Sequence, residues 1–164
     1  MLPLDRTEHP MTEVKVGVVD VFVIDPRPEG WLVLILRRAH GTRCTGAWEI
    51  VHGRIEDGEQ PEQAAERELR EETGLTANRL YSVTCHPFYL HRLGVVQIAV
   101  VFTAFADSTH HPTLGEEHDL AEWVSVEDAM ARLVWPRSRA SLRDIQSLLR
   151  TGNAGPVDDV LRVK

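Results

Sequence analysis

From Val14 to Ile24 the chain reads VKVGVVDVFVI, a run of β-branched residues that predicts a strand. The breakers Asp25 to Gly30 (DPRPEG) end it, and Trp31 to Arg38 (WLVLILRR) predicts a second, almost wholly apolar strand, so the two form a hairpin. A short strand over Ala47 to Val51 and a glycine-containing turn over His52 to Gly58 follow. The period then changes. Gln60 to Thr73 carries Pro61 near the first helical position, good helix formers through its body, and Gly74 where a C-terminal cap belongs, which predicts a helix. Arg79 to Leu90 and Gly94 to Phe105 read as strands, Asp107 to Glu116 as a polar loop, and Glu122 to Val124 as a short strand.

Ser125 and Asp128 open a helix through Leu133, with the spacing of a capping box. Leu142, Ile145, Leu148 and Leu149 give Ser138 to Arg150 the period of an amphipathic helix. This order predicts an α+β fold with helices on both faces of a mixed sheet. The pattern divides the chain into a loose lead-in at 1–13, one domain at 14–150 and a mobile tail at 151–164.

Composition narrows the function. The 164 residues are 43% hydrophobic and 26% charged, as in ordinary globular domains. With 18 Lys and Arg against 25 Asp and Glu, the formal charge of −7 repels a phosphate backbone, so duplex nucleic acid is not the expected partner. A small phosphorylated ligand stays open, because a bound divalent cation reverses the sign of an acidic pocket. No stretch is apolar enough to span a membrane and MLPLDRTEHP lacks the features of a secretory signal, so a cytoplasmic location is expected. Cys44 and Cys85 have neither zinc nor redox spacing and read as reduced thiols.

The candidate chemistry lies in the helix. Glu59 to Gly74 holds six acids against two bases, which is −4 of the net charge. At 100° per residue Glu68, Glu71 and Glu72 share one arc, while Glu62, Glu66 and Arg70 point the other way, Glu66 and Arg70 as an i,i+4 pair. The helix dipole disfavours acids in the last two turns by ~0.3–1 kcal/mol each, and the like charges Glu68 and Glu72 add ~0.2–0.5 kcal/mol. Stability alone would not select that cluster, whereas a hard divalent cation joining the carboxylates would.

The run from Gly53 to Leu75, GRIEDGEQPEQAAERELREETGL, resembles the signature of the Nudix hydrolases in its glycines, in Glu59, in Arg67-Glu68-Leu69 and in Glu71-Glu72. The resemblance implies a loop-helix-loop metal site in an α/β/α sandwich, taking Mg2+ or Mn2+ and hydrolysing a nucleoside diphosphate linked to another group. It makes Glu68 and Glu72 the main metal ligands, Glu71 a further ligand or water-orienting carboxylate, and Arg67 the residue that orients them. Glu59 becomes structural, and a backbone carbonyl at His52 or Gly53 completes the coordination. His52 departs from the commoner family pattern of two glycines and is placed to touch substrate. Family members often carry a metal-binding or catalytic Glu in the loop holding Glu117, with Glu116 as its neighbour, so Glu68 and Glu117 are both candidate bases.

Arg37 and Arg38 are candidates for phosphate, and Trp48, Phe88, Tyr89 and Trp135 for stacking a base. EEHDLAEWV and WPRSRASLRDI are similar to the C-terminal part of the family's dATP and dihydroneopterin triphosphate diphosphatases. That similarity implies a nucleoside or pterin triphosphate cleaved to monophosphate and pyrophosphate. ADP-ribose, dinucleoside polyphosphates, oxidised nucleotides, a nucleotide-sensing module without turnover, and a homodimer remain open.

Overall fold

The computed structural model describes residues 11–164. The expected lead-in therefore lies largely outside the described residues, and Glu13 already belongs to the first strand. The strands are β1 (Glu13–Asp25), β2 (Leu32–Arg38), β3 (Trp48–Glu49), β4 (Val51–Arg54), β5 (Arg79–Leu90), β6 (Val95–Phe105) and β7 (His118–Ser125). The helices are α1 (Pro61–Thr73), α2 (Val126–Arg132), α3 (Pro136–Leu149) and the single turn α4 (Asp158–Leu161), preceded by a 3-10 turn at Gly155–Val157.

The strands form one mixed sheet in which β1 and β6 run parallel while the neighbouring pairs run antiparallel. The hairpin between β1 and β2 exists only at its base, where Ile24 pairs with Val33 and Asp25 with Leu32. Beyond those rows the two strands diverge, and the short β3 and β4 enter the fork, β3 pairing with β2 and β4 with β1. This fork positions the site.

Strand alternation sends each face of the sheet to a different core. Val19, Val21, Val23, Leu34 and Leu36 pack under α1 with its Ala64, Ala65 and Leu69. Phe22, Ile24, Val33 and Ile35 pack under α3 with its Leu142, Ile145 and Leu149. The result is the expected α/β/α sandwich, and it explains why β2 is apolar on both faces from Leu32 to Leu36: both of its faces are covered there.

Three expectations need correction. The strand expected at Glu122 to Val124 runs from His118 to Ser125, because β7 pairs along the whole of β2. The segment from Thr151, expected to be a mobile tail, is docked. Leu80 exchanges backbone hydrogen bonds with Val163 and Lys164, the Tyr81 hydroxyl donates to Asp158 at 2.9 Å, and the Arg79 guanidinium bonds the Gly152 carbonyl. Its partners come from the edge strand β5, whose open N–H and C=O groups accept an added segment. The same docking brings Lys164 to 3.6 Å from Glu66, so Glu66 is paired with the chain end and not with Arg70 as the helical spacing suggested.

Candidate active site

Helix α1 starts where Gln63 accepts a hydrogen bond from the Gln60 N–H and stops at Gly74, whose left-handed φ of 70° suits glycine. Past the stop, the Thr113 N–H bonds the Thr73 carbonyl at 2.8 Å and the Gly115 N–H reaches that of Glu72 at 3.4 Å. The loop before β7 thus satisfies carbonyls the helix end leaves open, and it carries Glu116 and Glu117 to the same end of α1 as Glu72.

Gly53 lies opposite Val19 and so faces α1. A Cβ there would fall inside the Glu68 carboxylate, far closer than van der Waals contact, so the glycine is needed for Glu68 to lie against β4. Arg67 gathers the neighbouring groups: its guanidinium bonds Glu59 at 2.9 and 3.0 Å, Glu68 at 2.7 Å, Glu71 at 3.1 Å and the Arg54 carbonyl at 2.7 Å. The bond to Glu59 is the leading reason the guanidinium holds its proton more tightly than usual. Glu68 is half-buried, and desolvation raises its carboxyl despite the pull of Arg67. Glu71, on the same arc, has a 59% exposed side chain and reaches the cluster only through Arg67.

Glu72 is buried, 8% exposed, and its carboxyl is pushed up to about 9, first by burial and then by the charges of Glu68, Glu49 and Glu117. Its Oε2 has no hydrogen-bond partner, nor has Nδ1 of the buried His118, 4.0 Å away. A buried carboxyl with one oxygen unpartnered, among three like charges, fits a divalent cation. Among the described residues no three His, Cys, Asp or Glu side chains converge on one metal-sized point as they stand. The geometry supplies a reason: Arg67 draws Glu68 and Glu71 toward itself. Glu117 lies at the rim, its side chain 63% exposed and bound to Arg38 at 2.6 Å.

Behind Glu72 the structure places residues that the sequence did not single out. His118 Nε2 lies 2.9 Å from Glu49 Oε1, and Glu49 also accepts from Arg38 at 3.4 Å and from the Trp135 indole at 3.5 Å. Burial would raise the Glu49 carboxyl, but the His118 bond and the Arg38 charge outweigh it and hold it below the usual range. On the opposite face of the sheet, the fully buried Asp20 accepts from His52 Nδ1 at 2.6 Å and from Arg137 Nε at 3.0 Å. A charged residue in the middle of an apolar strand (VVDVFVI) was the available signal for Asp20.

The candidate substrate residues divide. Arg38 reaches the acidic site but is engaged by Glu49 and Glu117, whereas Arg37 turns to Asp119 at 2.8 Å. Trp48 packs beneath Arg132, with 4.1 Å from guanidinium to ring centre, as part of the α3-side core. Tyr89 is 57% exposed at the far end of β5 opposite Val96, on the α1 side and away from the fork, so the structure does not bring it to the site. Phe88 and Trp135 both lie beside Arg137.

An α/β/α sandwich whose sheet fork faces the acidic end of a loop-flanked helix is the arrangement defined so far. Residues 14–145 match the NUDIX domain family model, and the chain belongs to that family. It is 37% identical over 139 residues to an octanoyltransferase of Myxococcus xanthus, covering 82% of this chain and 36% of that protein. It is 29% identical over 127 residues to the CTP pyrophosphohydrolase of Escherichia coli, covering 77% and 88% respectively. A NUDIX hydrolase structure from Listeria monocytogenes shares the fold, with a TM-score of 0.72, 24% identity and coverage of 84% and 96%. The chain spans about a third of the length of the Myxococcus protein and of a Caenorhabditis elegans relative. No described helix is long and apolar enough to cross a membrane.

Proposed function

We propose that this domain hydrolyses a phosphoanhydride bond in a nucleoside-triphosphate-like small molecule, a dNTP or pterin triphosphate, with Mg2+ or Mn2+, releasing a monophosphate and pyrophosphate. The observation that carries this reading is Glu72: a buried carboxyl with its Oε2 unpartnered, pushed up to about 9 among Glu68, Glu49 and Glu117, is costly to ionise without a cation and useful with one. Glu68 and Glu72 would hold the metal, with the backbone carbonyl of His52 or Gly53. When bound, the metal neutralises polyphosphate oxygens and lowers the pKa of water. Arg67 bonds Glu68 and Glu71 from one side and Arg38 bonds Glu117 at the rim; either Glu68 or Glu117 would take the proton of an attacking water. The relative from Escherichia coli that matches over most of its own length is a pyrophosphohydrolase of a nucleoside triphosphate, which supports the reaction class. The reading includes a cytoplasmic location.

The test is release of pyrophosphate and phosphate with and without Mg2+ or Mn2+ from dNTPs, oxidised dNTPs, dihydroneopterin triphosphate, ADP-ribose and diadenosine polyphosphates. Metal-dependent pyrophosphate from a triphosphate is the expected result. Cleavage of only ADP-ribose or a dinucleotide would keep the reaction and replace the substrate. Tight metal-dependent binding with no product from any of them would make the domain a sensor.

A further inference from the structure

The last turn of α1 meets two residues brought to it by strands on either side of β2. Leu36 of β2 packs under α1, and Arg38, two residues on, shares that face. Glu49 of β3 lies opposite Leu36 and so faces α1 as well. Along the other side of β2, β7 sets Ala121 opposite Leu36 and Leu120 opposite Arg37, but then His118, and not Asp119, opposite Arg38. Asp119 is the extra residue of a bulge. Plain alternation would send His118 to the α3 face, and the bulge turns it to α1 and Glu72.

The buried groups that meet there do not satisfy one another. His118 is 4% exposed, and its Nε2 lies 2.9 Å from Glu49 Oε1. Glu49 is held in turn by Arg38 and by the Trp135 indole. The other ring nitrogen, Nδ1, is buried without a partner, and so is Glu72 Oε2, 4.0 Å from it. At that distance the two do not hydrogen-bond. Donor atoms about 2.1 Å from a common ion stand about 3 Å apart when cis in an octahedron and about 4 Å apart when trans, so the gap has the width of a shared cation. A ligating imidazole characteristically has its second nitrogen on a carboxylate that fixes the ring, and Glu49 supplies that carboxylate.

We infer that His118 Nδ1 and Glu72 Oε2 are a ligand pair for one divalent transition-metal ion, with Glu49 fixing the imidazole from behind. The inference rests on the proposed function and adds a nitrogen ligand to the oxygens of its metal site. Mg2+ is the hardest of the candidate ions and takes oxygen ligands, so the nitrogen favours Mn2+, or the stronger nitrogen binder Co2+, over Mg2+.

The experiment uses Mn2+ as the probe. Pulsed EPR of the Mn2+-loaded protein should show a coupled nitrogen whose frequencies change when histidine is isotopically labelled, and His118→Asn should remove that coupling. Calorimetry in His118→Asn and in Glu49→Gln should show the ratio of Mn2+ to Mg2+ affinity lowered about tenfold. A lost charge or a packing defect would instead weaken both ions alike and leave the ratio intact. If His118→Asn does not fold, the wild-type spectrum and the ratio in Glu49→Gln decide. No nitrogen coupling in wild type, or a coupling or a ratio unchanged in the variants, would overturn the inference. Wild type that binds Mn2+ through nitrogen but cleaves no triphosphate would overturn the proposed function only, and wild type that binds no Mn2+ would overturn both.

Discussion

Glu72→Gln should make the metal-free protein more stable while it abolishes turnover. The Glu72 carboxyl rises from 4.5 to about 9 on folding, so between those values the folded state binds a proton that the unfolded chain has released. Its contribution to stability is complete below pH 4.5 and is lost as the pH climbs toward 9, at about 1.4 kcal/mol per unit. By about pH 7.5 the loss reaches about 4 kcal/mol, a large share of the roughly 5–15 kcal/mol that holds a domain folded. Glutamine removes that dependence and keeps the shape. For a chain of this size the melting temperature in EDTA at about pH 7.5 should rise by roughly 10 °C, with the gap closing near pH 5. Mn2+ should raise the melting temperature of wild type far more than that of the variant. The assay is thermal unfolding from about pH 5 to 9 in EDTA and in Mn2+, alongside pyrophosphate release. A variant no more stable than wild type at about pH 7.5, or a gap independent of pH, would refute the account of Glu72 as a carboxyl whose ionisation is costly until a cation offsets it.

Gly53→Ala should lower turnover by about a hundredfold or more, because its Cβ displaces Glu68, and melting curves should show the fold retained. Arg67→Ala removes the shared partner of Glu59, Glu68 and Glu71 and should cost about 1–3 kcal/mol, read by urea unfolding, together with most of the activity. Glu66→Gln, on the outer face of α1, should leave turnover within about twofold; a loss like that of Glu72→Gln would contradict the face assignment. Hydrogen exchange should find the Leu80 and Val163 amides protected, since the C-terminal segment bonds to them, and fast exchange at both would show that the segment is not docked.

The parts of the fold that were legible in the sequence are those whose signal is local. β2 announces itself through WLVLILRR, and α1 through Pro61, its helix formers and Gly74, because each carries its own period and stop. The parts that were not legible depend on partners distant in sequence. The extent of β7 is set by pairing with β2, and the docked C-terminal segment by the free edge of β5; neither GPVDDVL nor HDLA has a pattern of its own that reveals this. The site divides in the same way. Helical spacing brought Glu68, Glu71 and Glu72 to one arc, but it could not show that Glu72 is buried while Glu71 meets solvent. That difference comes from how α1 seats on the sheet and from the loop that closes its end. Glu49 and His118 lie 69 residues apart, and only the packing of β3 and β7 on either side of β2 unites them.

The fork between β1 and β2 links these features. Had the hairpin stayed paired along its length, β2 would have covered the edge of β1 that β4 now occupies, and Gly53 could not lie under Glu68. Because the strands part after two rows, residues 48–54 thread between them, and alternation along those few residues sorts the chemistry by face. Gly53 turns to the acidic helix and His52 to the buried Asp20, while Glu49 reaches His118 on one side and the Trp135 indole at the start of α3 on the other. A shift of one residue in the β4 register would exchange the two faces, burying a histidine against Glu68 and setting a glycine before Asp20. Register at this short strand therefore matters more to function than its length suggests.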